Sequence, residues 1–245
     1  MKKFEGIETV ILDYGNTIIY DPFENILNKI LDKISSKLKL KKKKVKRAFI
    51  EANKKVNYLN IGHFAQEEPI VWYALKKLGV KDEKVIFLSL DILKIYRKEL
   101  KKLMKNHPRK EKIRDVLVYL KSKGKRLGII SDGRVLNLHS MLRWLGIKKY
   151  FDFIVSSEEI GIEKPDPRIF IQTIKRFKLK PEECVYVGDD PRDDIEAPKK
   201  LGMKMILIIP PKKYRKPMPW RRYDIKLKVK PDAIIKDLIE LKKFF

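Results

Sequence analysis

The stretch Thr9-Val-Ile-Leu-Asp13-Tyr-Gly-Asn-Thr17 joins a short apolar run to an aspartate and a turn-forming cluster. An apolar run of this length, closed by Gly and Asn, reads as a strand buried on both faces of a parallel sheet. Downstream the rhythm is helical: apolar residues recur at three- and four-residue spacing over 25–38, 42–58, 67–78 and 83–104, until Pro108 breaks the pattern. Beyond Pro108, predicted helices at 110–123, 136–145, 167–177 and 193–201 alternate with predicted strands at 126–131, 153–156, 184–188 and 205–209. Such alternation gives an α/β fold, a Rossmann-like, doubly wound parallel sheet with right-handed crossovers. The helical stretch then interrupts this core as an inserted domain, so the expected division is a core of 1–20 and 107–245 and an insertion of 21–106. Residues 210–230 lack a clear period. A closing helix is expected from Pro231 to Lys243, with Pro in its first turn and Ile234, Ile235, Leu238 and Leu241 on its apolar face.

Composition narrows the function classes. The 245 residues are 44% hydrophobic, and no run approaches the 18 apolar residues of a membrane helix. The start lacks the apolar core of a signal peptide, and the single cysteine, Cys184, excludes a disulfide framework or a multi-cysteine metal site. A soluble, cytoplasmic protein with no membrane partner is expected, with Cys184 a small buried hydrophobe in its strand. The net charge of +26, from 58 basic and 32 acidic residues, favours non-specific attraction to nucleic acid. It equally fits the Lys-rich surface of a thermophile's protein. Lys41–Lys44 with Lys46 and Arg47 reads as a solvated helix face. The stretch Lys212–Lys230, which interleaves Arg and Lys with Tyr214, Trp220 and Tyr223, is the better nucleic-acid candidate. Trp72 and Tyr73 read as core of the helical insertion.

Ligands of open parallel sheets gather beyond the carboxyl ends of the strands. The groups expected there are Asp13, then Ser131-Asp132-Gly133, then Asp189-Asp190 with Asp193-Asp194; Lys164 precedes the helix between the third and fourth strands. A carboxylate that attacks a phosphate dianion needs its charge and the dianion's neutralised. Asp13 and Asp189 supply hard oxygen ligands for Mg²⁺, and Lys164 adds a second positive charge. The Ser131 hydroxyl and nearby backbone N–H groups suit phosphoryl oxygens. Attack by Asp13 would give an aspartyl-phosphate, which water hydrolyses.

Four segments, Ile11–Thr17, Ile129–Gly133, Gly161–Pro167 and Val187–Asp194, resemble in order the motifs of the haloacid-dehalogenase-like superfamily of hydrolases. The resemblance implies a Mg²⁺-dependent hydrolase acting on a small phosphorylated metabolite, with the helical insertion as its cap. It implies Asp13 as nucleophile, with Ser131 and Lys164 as its catalytic partners. Asp13, the Gly15 carbonyl, Asp189 and Asp194 would hold the metal, and Asn16, Thr17, Asp132 and Gly133 would contact substrate. One departure stands out. Phosphatases of the superfamily usually carry a second Asp two places after the nucleophile, as general acid and base; here that place is Gly15, followed by Asn16. Loss of such a group costs about 10²–10⁴-fold in rate. Asp21, His63, Glu67 and Glu68 are alternative acids; otherwise the substrate has a leaving group that needs no proton. Displacement at carbon, as in dehalogenation, and a catalytically weak polyanion-binding protein on the same fold are the competing readings. Tyr14 lies one place before the Tyr of the dehalogenase pattern, so that match is not made.

Overall fold

The computed structural model describes residues 3–19, 23–58, 67–209 and 229–245. The chain divides into two compact units, Met1–Asp21 with His107–Phe245, and Pro22–Asn106.

The second unit holds α1 (Phe23–Leu38), α2 (Lys42–Tyr58), α3 (Glu67–Lys77) and α4 (Asp82–Lys105). Each buries one apolar stripe: Ile26, Ile30 and Ile34 on α1, Val45, Phe49 and Ala52 on α2, Val71 and Leu75 on α3, and Val85 to Met104 on α4. Lys41–Lys44, Lys46 and Arg47 are exposed, as expected of a solvated face. Trp72 departs from its expected place in the core. It is 40% exposed and meets the edge of the Tyr73 ring at 5.0 Å, while Lys55 lies over that same ring. The cause is geometric: Val71, Ala74 and Leu75 fill the buried face of α3, and Trp72 falls outside that stripe.

In the first unit, β1 (Thr9–Leu12), β2 (Arg126–Ser131), β3 (Phe153–Ser156), β4 (Cys184–Gly188), β5 (Lys204–Ile208) and β6 (Ala233–Ile235) form one sheet. Its order is β3-β2-β1-β4-β5-β6, and every pairing is parallel. α5 (Lys110–Ser122), α6 (Val135–Leu145), α7 (Ser157–Ile160), α8 (Pro167–Phe177) and α9 (Glu196–Lys200) fall between the strands in sequence. This is the expected α/β, doubly wound architecture. From β1 the chain builds outward through β2 and β3 on one side and through β4, β5 and β6 on the other. The carboxyl ends of β1 and β4 therefore flank the point where strand order reverses, where open α/β sheets leave a crevice.

Two segments differ from expectation. The C-terminal stretch is not one helix: Ala233–Ile235 is an edge strand, in register with Ile206–Ile208, and a short 3₁₀ helix follows at Leu238–Lys243. Two local features decide this. Asp232 is held to the amide of Met205 at 2.7 Å, which aligns the next residues with β5. Asp237 then caps the following turn, its side chain taking the Ile239 amide while Glu240 reaches back to the Asp237 amide. Alternation replaces the helical period, with Ile234 at 56% exposure and Ile235 buried. α9 also starts later than expected, at Glu196. The preceding residues are folded into a turn by the Arg192 amide on the Asp190 carboxylate (2.9 Å) and the Asp194 amide on the Asp190 carbonyl (3.0 Å). Cys184 is buried in β4 as expected, and burial pushes its thiol up to about 11.

Candidate active site

Asp13 leaves β1 at its carboxyl end, and its amide is bonded across the sheet to the Val187 carbonyl of β4 at 2.8 Å. Asp189 follows β4, so adjacent parallel strands in fixed register deliver two carboxylates to one place. The turn at 190–194 brings a third. Carboxylate oxygens of Asp13, Asp189 and Asp194 all lie within 4.8 Å of one another, and all three residues are buried. The turn at Asp194 is closed by the Asp190 amide, which donates to its Oδ2 at 2.9 Å. Gly188 is what lets it close: a Cβ there would lie 2.3 Å from the Asp194 carboxyl carbon.

Lys164 is the cation of this cluster. Its ammonium donates to Asp13 Oδ1 at 2.9 Å and to Asp194 Oδ1 at 2.7 Å. The neighbouring carboxylates hold its pKa well above the lysine range, against the opposing effect of burial. Its backbone is fixed as well, since the Lys164 amide donates to Asp132 Oδ1 at 3.1 Å. Asp132 thus ties the loop after β2 to the loop before α8.

The other expected site residues fall around this centre. Asn16 takes a left-handed backbone (φ 53°), which Asn tolerates better than most residues. Its amide nitrogen donates to Asp189 Oδ2 at 3.2 Å. Thr17 is buried, and its hydroxyl has no hydrogen-bond partner among the described residues. Ser131 is buried at the end of β2 with its hydroxyl 3.4 Å from the Asp132 carbonyl. Gly133 sits at φ 136°, a conformation open to glycine, and its amide is held by the Ser157 hydroxyl at 3.0 Å. Gly15 is half-buried and makes a bridge to Ile19. Asp190 pairs with Arg192 at 3.2 Å. The Asp193 carboxyl is pushed up to about 7 by burial and then by the charges of Asp190 and Asp194. Asp21 and His63 lie outside the described residues, as do the Glu67 side chain and Lys212–228 with Tyr214, Trp220 and Tyr223.

One participant went unforeseen. Tyr186, in the middle of β4, places its hydroxyl 3.2 Å from the Lys164 ammonium and 3.1 Å from Asp194 Oδ1. The available signal was a phenol inside an otherwise apolar strand, since a buried tyrosine hydroxyl needs a partner.

As a donor set, three buried carboxylates against one ammonium leave excess negative charge and offer hard oxygens, which suits a divalent cation of the Mg²⁺ type. Residues 26–208 match the family model described as haloacid dehalogenase-like hydrolase. The chain is a haloacid-dehalogenase-like hydrolase. Over 92 residues this hydrolase is 45% identical to the glyceraldehyde 3-phosphate phosphatase of Methanothermobacter thermautotrophicus; the match takes in 38% of this chain and 41% of that protein. A second such phosphatase, from Pyrococcus furiosus, is 34% identical over 128 residues, covering 52% of this chain and 50% of the relative. The hydrolase thus spans about half or less of the length of these curated relatives. Among solved structures, it resembles a phosphatase of the same superfamily from Thermococcus onnurineus, with TM-score 0.65, 23% identity and 97% of both chains covered. It also resembles the 2-haloacid dehalogenase of Pseudomonas syringae, with TM-score 0.67, 24% identity and 97% of both chains. These two likenesses establish the fold. Among the described residues no helix is long and apolar enough to cross a membrane.

Proposed function

We propose that this hydrolase is a Mg²⁺-dependent phosphatase of small phosphorylated metabolites, with Asp13 as nucleophile. The observation that carries the reading is the buried Asp13–Lys164–Asp194 arrangement beside Asp189. An Asp13 oxygen forms a bond to phosphorus as the bond from phosphorus to the leaving oxygen breaks. Water then cleaves the aspartyl-phosphate and frees inorganic phosphate. Lys164 offsets charge on Asp13 and on the transferring group. The Ser131 hydroxyl, the Thr17 hydroxyl, the Asn16 amide and the loop 132–133 are its phosphoryl-binding groups. Asp13, Asp189, Asp194 and the Gly15 carbonyl would hold Mg²⁺, which supplies further neutralising charge when bound. Residues 21–106 form the cap that selects the substrate, and the enzyme works in the cytoplasm as a protein without membrane partners. Its positive charge gives only non-specific contact with nucleic acid.

Glyceraldehyde 3-phosphate heads the substrate panel, because similar proteins carry that activity in their names. Gly15 offers no side chain to protonate a departing alkoxide, so p-nitrophenyl phosphate, with a weakly basic leaving group, should turn over faster than any alkyl phosphate. The test is phosphate release from such a panel with Mg²⁺, for wild type and Asp13→Asn. Wild type should release phosphate, and Asp13→Asn should lose at least about 10³-fold. Background rates across the panel, or halide release from a haloacid without metal, would overturn the proposal.

A further inference from the structure

The geometry points to Tyr186 as a positioning residue that fixes the Lys164 ammonium against Asp13. The inference rests on the reading of Asp13 and Lys164 as the reacting pair.

An ammonium carries three N–H donors. Lys164 has three acceptors at hydrogen-bond distance: Asp13 Oδ1 at 2.9 Å, Asp194 Oδ1 at 2.7 Å and the Tyr186 oxygen at 3.2 Å. With all three donors engaged, the ammonium has a fixed orientation. Two of the acceptors are carboxylates from different segments, one following β1 and one in the turn at 190–194, and each attracts the cation toward itself. The phenol is the neutral third point that settles its place between them. It is itself anchored, because its own hydrogen can go to the Ile130 carbonyl at 3.1 Å or to Asp194 Oδ1 at 3.1 Å. Tyr186 therefore links β4, β2, the loop before α8 and the turn at 190–194 through one oxygen.

Packing alone does not account for a tyrosine here. The ring is fully buried and meets Phe170 edge-on at 5.1 Å, a contact phenylalanine would make equally well. Burying a hydroxyl without partners is costly; this one is met by the Ile130 carbonyl and, beyond that backbone partner, by Lys164 and Asp194 of the site itself. A site held to within about 0.5 Å needs such supporting groups beneath the residues that react.

The decisive experiment is a double-mutant cycle on the full chain, with Tyr186→Phe and Lys164→Met, followed by phosphate release and by calorimetric binding of orthovanadate with Mg²⁺. Tyr186→Phe should melt close to wild type and lower kcat about tenfold, with KM within about twofold. Orthovanadate should bind about tenfold more weakly. In the Lys164→Met background, the same change should alter the residual rate and vanadate affinity less than about twofold. Tyr186→Met, which also removes the hydroxyl, should match the loss if the Phe variant proves unstable. Full kcat and vanadate affinity in Tyr186→Phe would overturn the inference. So would a tenfold loss that persists without Lys164, since the hydroxyl would then act by another route. A wild type that binds vanadate but turns over no phosphate ester would count against the phosphatase reading, and the binding cycle would still decide the role of Tyr186.

Discussion

The two compact units bury different chemistry. Around the parallel sheet the buried groups include Asp13, Lys164, Asp189, Asp190 and Asp194, all charged types. Among the described residues of the helical unit, Ser89 is the one buried polar residue, and ion pairs such as Lys37–Asp91 and Lys77–Glu51 lie near the surface. Burying charge costs several kcal/mol per ion unless partners compensate. A fold retains a cluster of this kind where the cluster does something, so the sheet unit declares its chemistry in its interior. The helical unit keeps its interior to periodicity and packing, which many sequences satisfy. The sequence of that unit is correspondingly silent about chemistry.

The contrast can be broken most forcefully at Gly188. Gly188→Ala puts a methyl 2.3 Å from the Asp194 carboxyl carbon, so one of the two must move. It should cost about 3 kcal/mol of stability and, by displacing Asp194 and with it Lys164, at least about 10²-fold in phosphate release. Near-normal activity, followed by urea unfolding in parallel, would show that the cluster tolerates movement. In the helical unit, Leu75→Ala should also lower stability by about 3 kcal/mol, through cavity formation at a fully buried position. A midpoint shift equivalent to less than 1 kcal/mol would mean that α3 relaxes to fill the space.

A smaller effect is expected at His107, where the chain re-enters the sheet unit. Burial, then the Arg109 cation, holds its imidazole down at about 4 rather than 6.5. Between those values the unfolded chain binds a proton that the folded protein does not. Stability therefore falls as pH drops through that window, by about 3 kcal/mol in all. His107→Gln should flatten this part of the stability–pH curve, and an unchanged slope would assign it to other groups.

Legibility in the sequence followed the same divide. β2, β3, β4 and α8 occupy the expected residues, because each is bounded by strong local signals: Gly188 closes β4, and Asp166 caps α8 with Pro167 in its first turn. The C-terminal Ile234-Ile235 pair suits either helix or strand. Only its pairing with β5 and the cap at Asp237 decided between them, and pairing is a long-range fact. The convergence of Asp13, Asp189 and Lys164 was legible because parallel topology places strand ends together. The Tyr186 hydroxyl was not, because its meaning depends on a lysine 22 positions away in sequence. The clasp between Asp132 and the Lys164 amide was hidden for the same reason.

The enclosure of Lys164 also makes it chemically unlike the exposed lysines described in this basic chain. Amine-reactive reagents attack the neutral amine at an accessible nitrogen. Lys164 is buried, and its carboxylate neighbours keep it protonated. Exhaustive acetylation under native conditions should therefore strip charge from the exposed surface and leave the central ammonium intact. The outer electrostatic field and the inner cation are made of the same amino acid, yet a single labelling step can separate them.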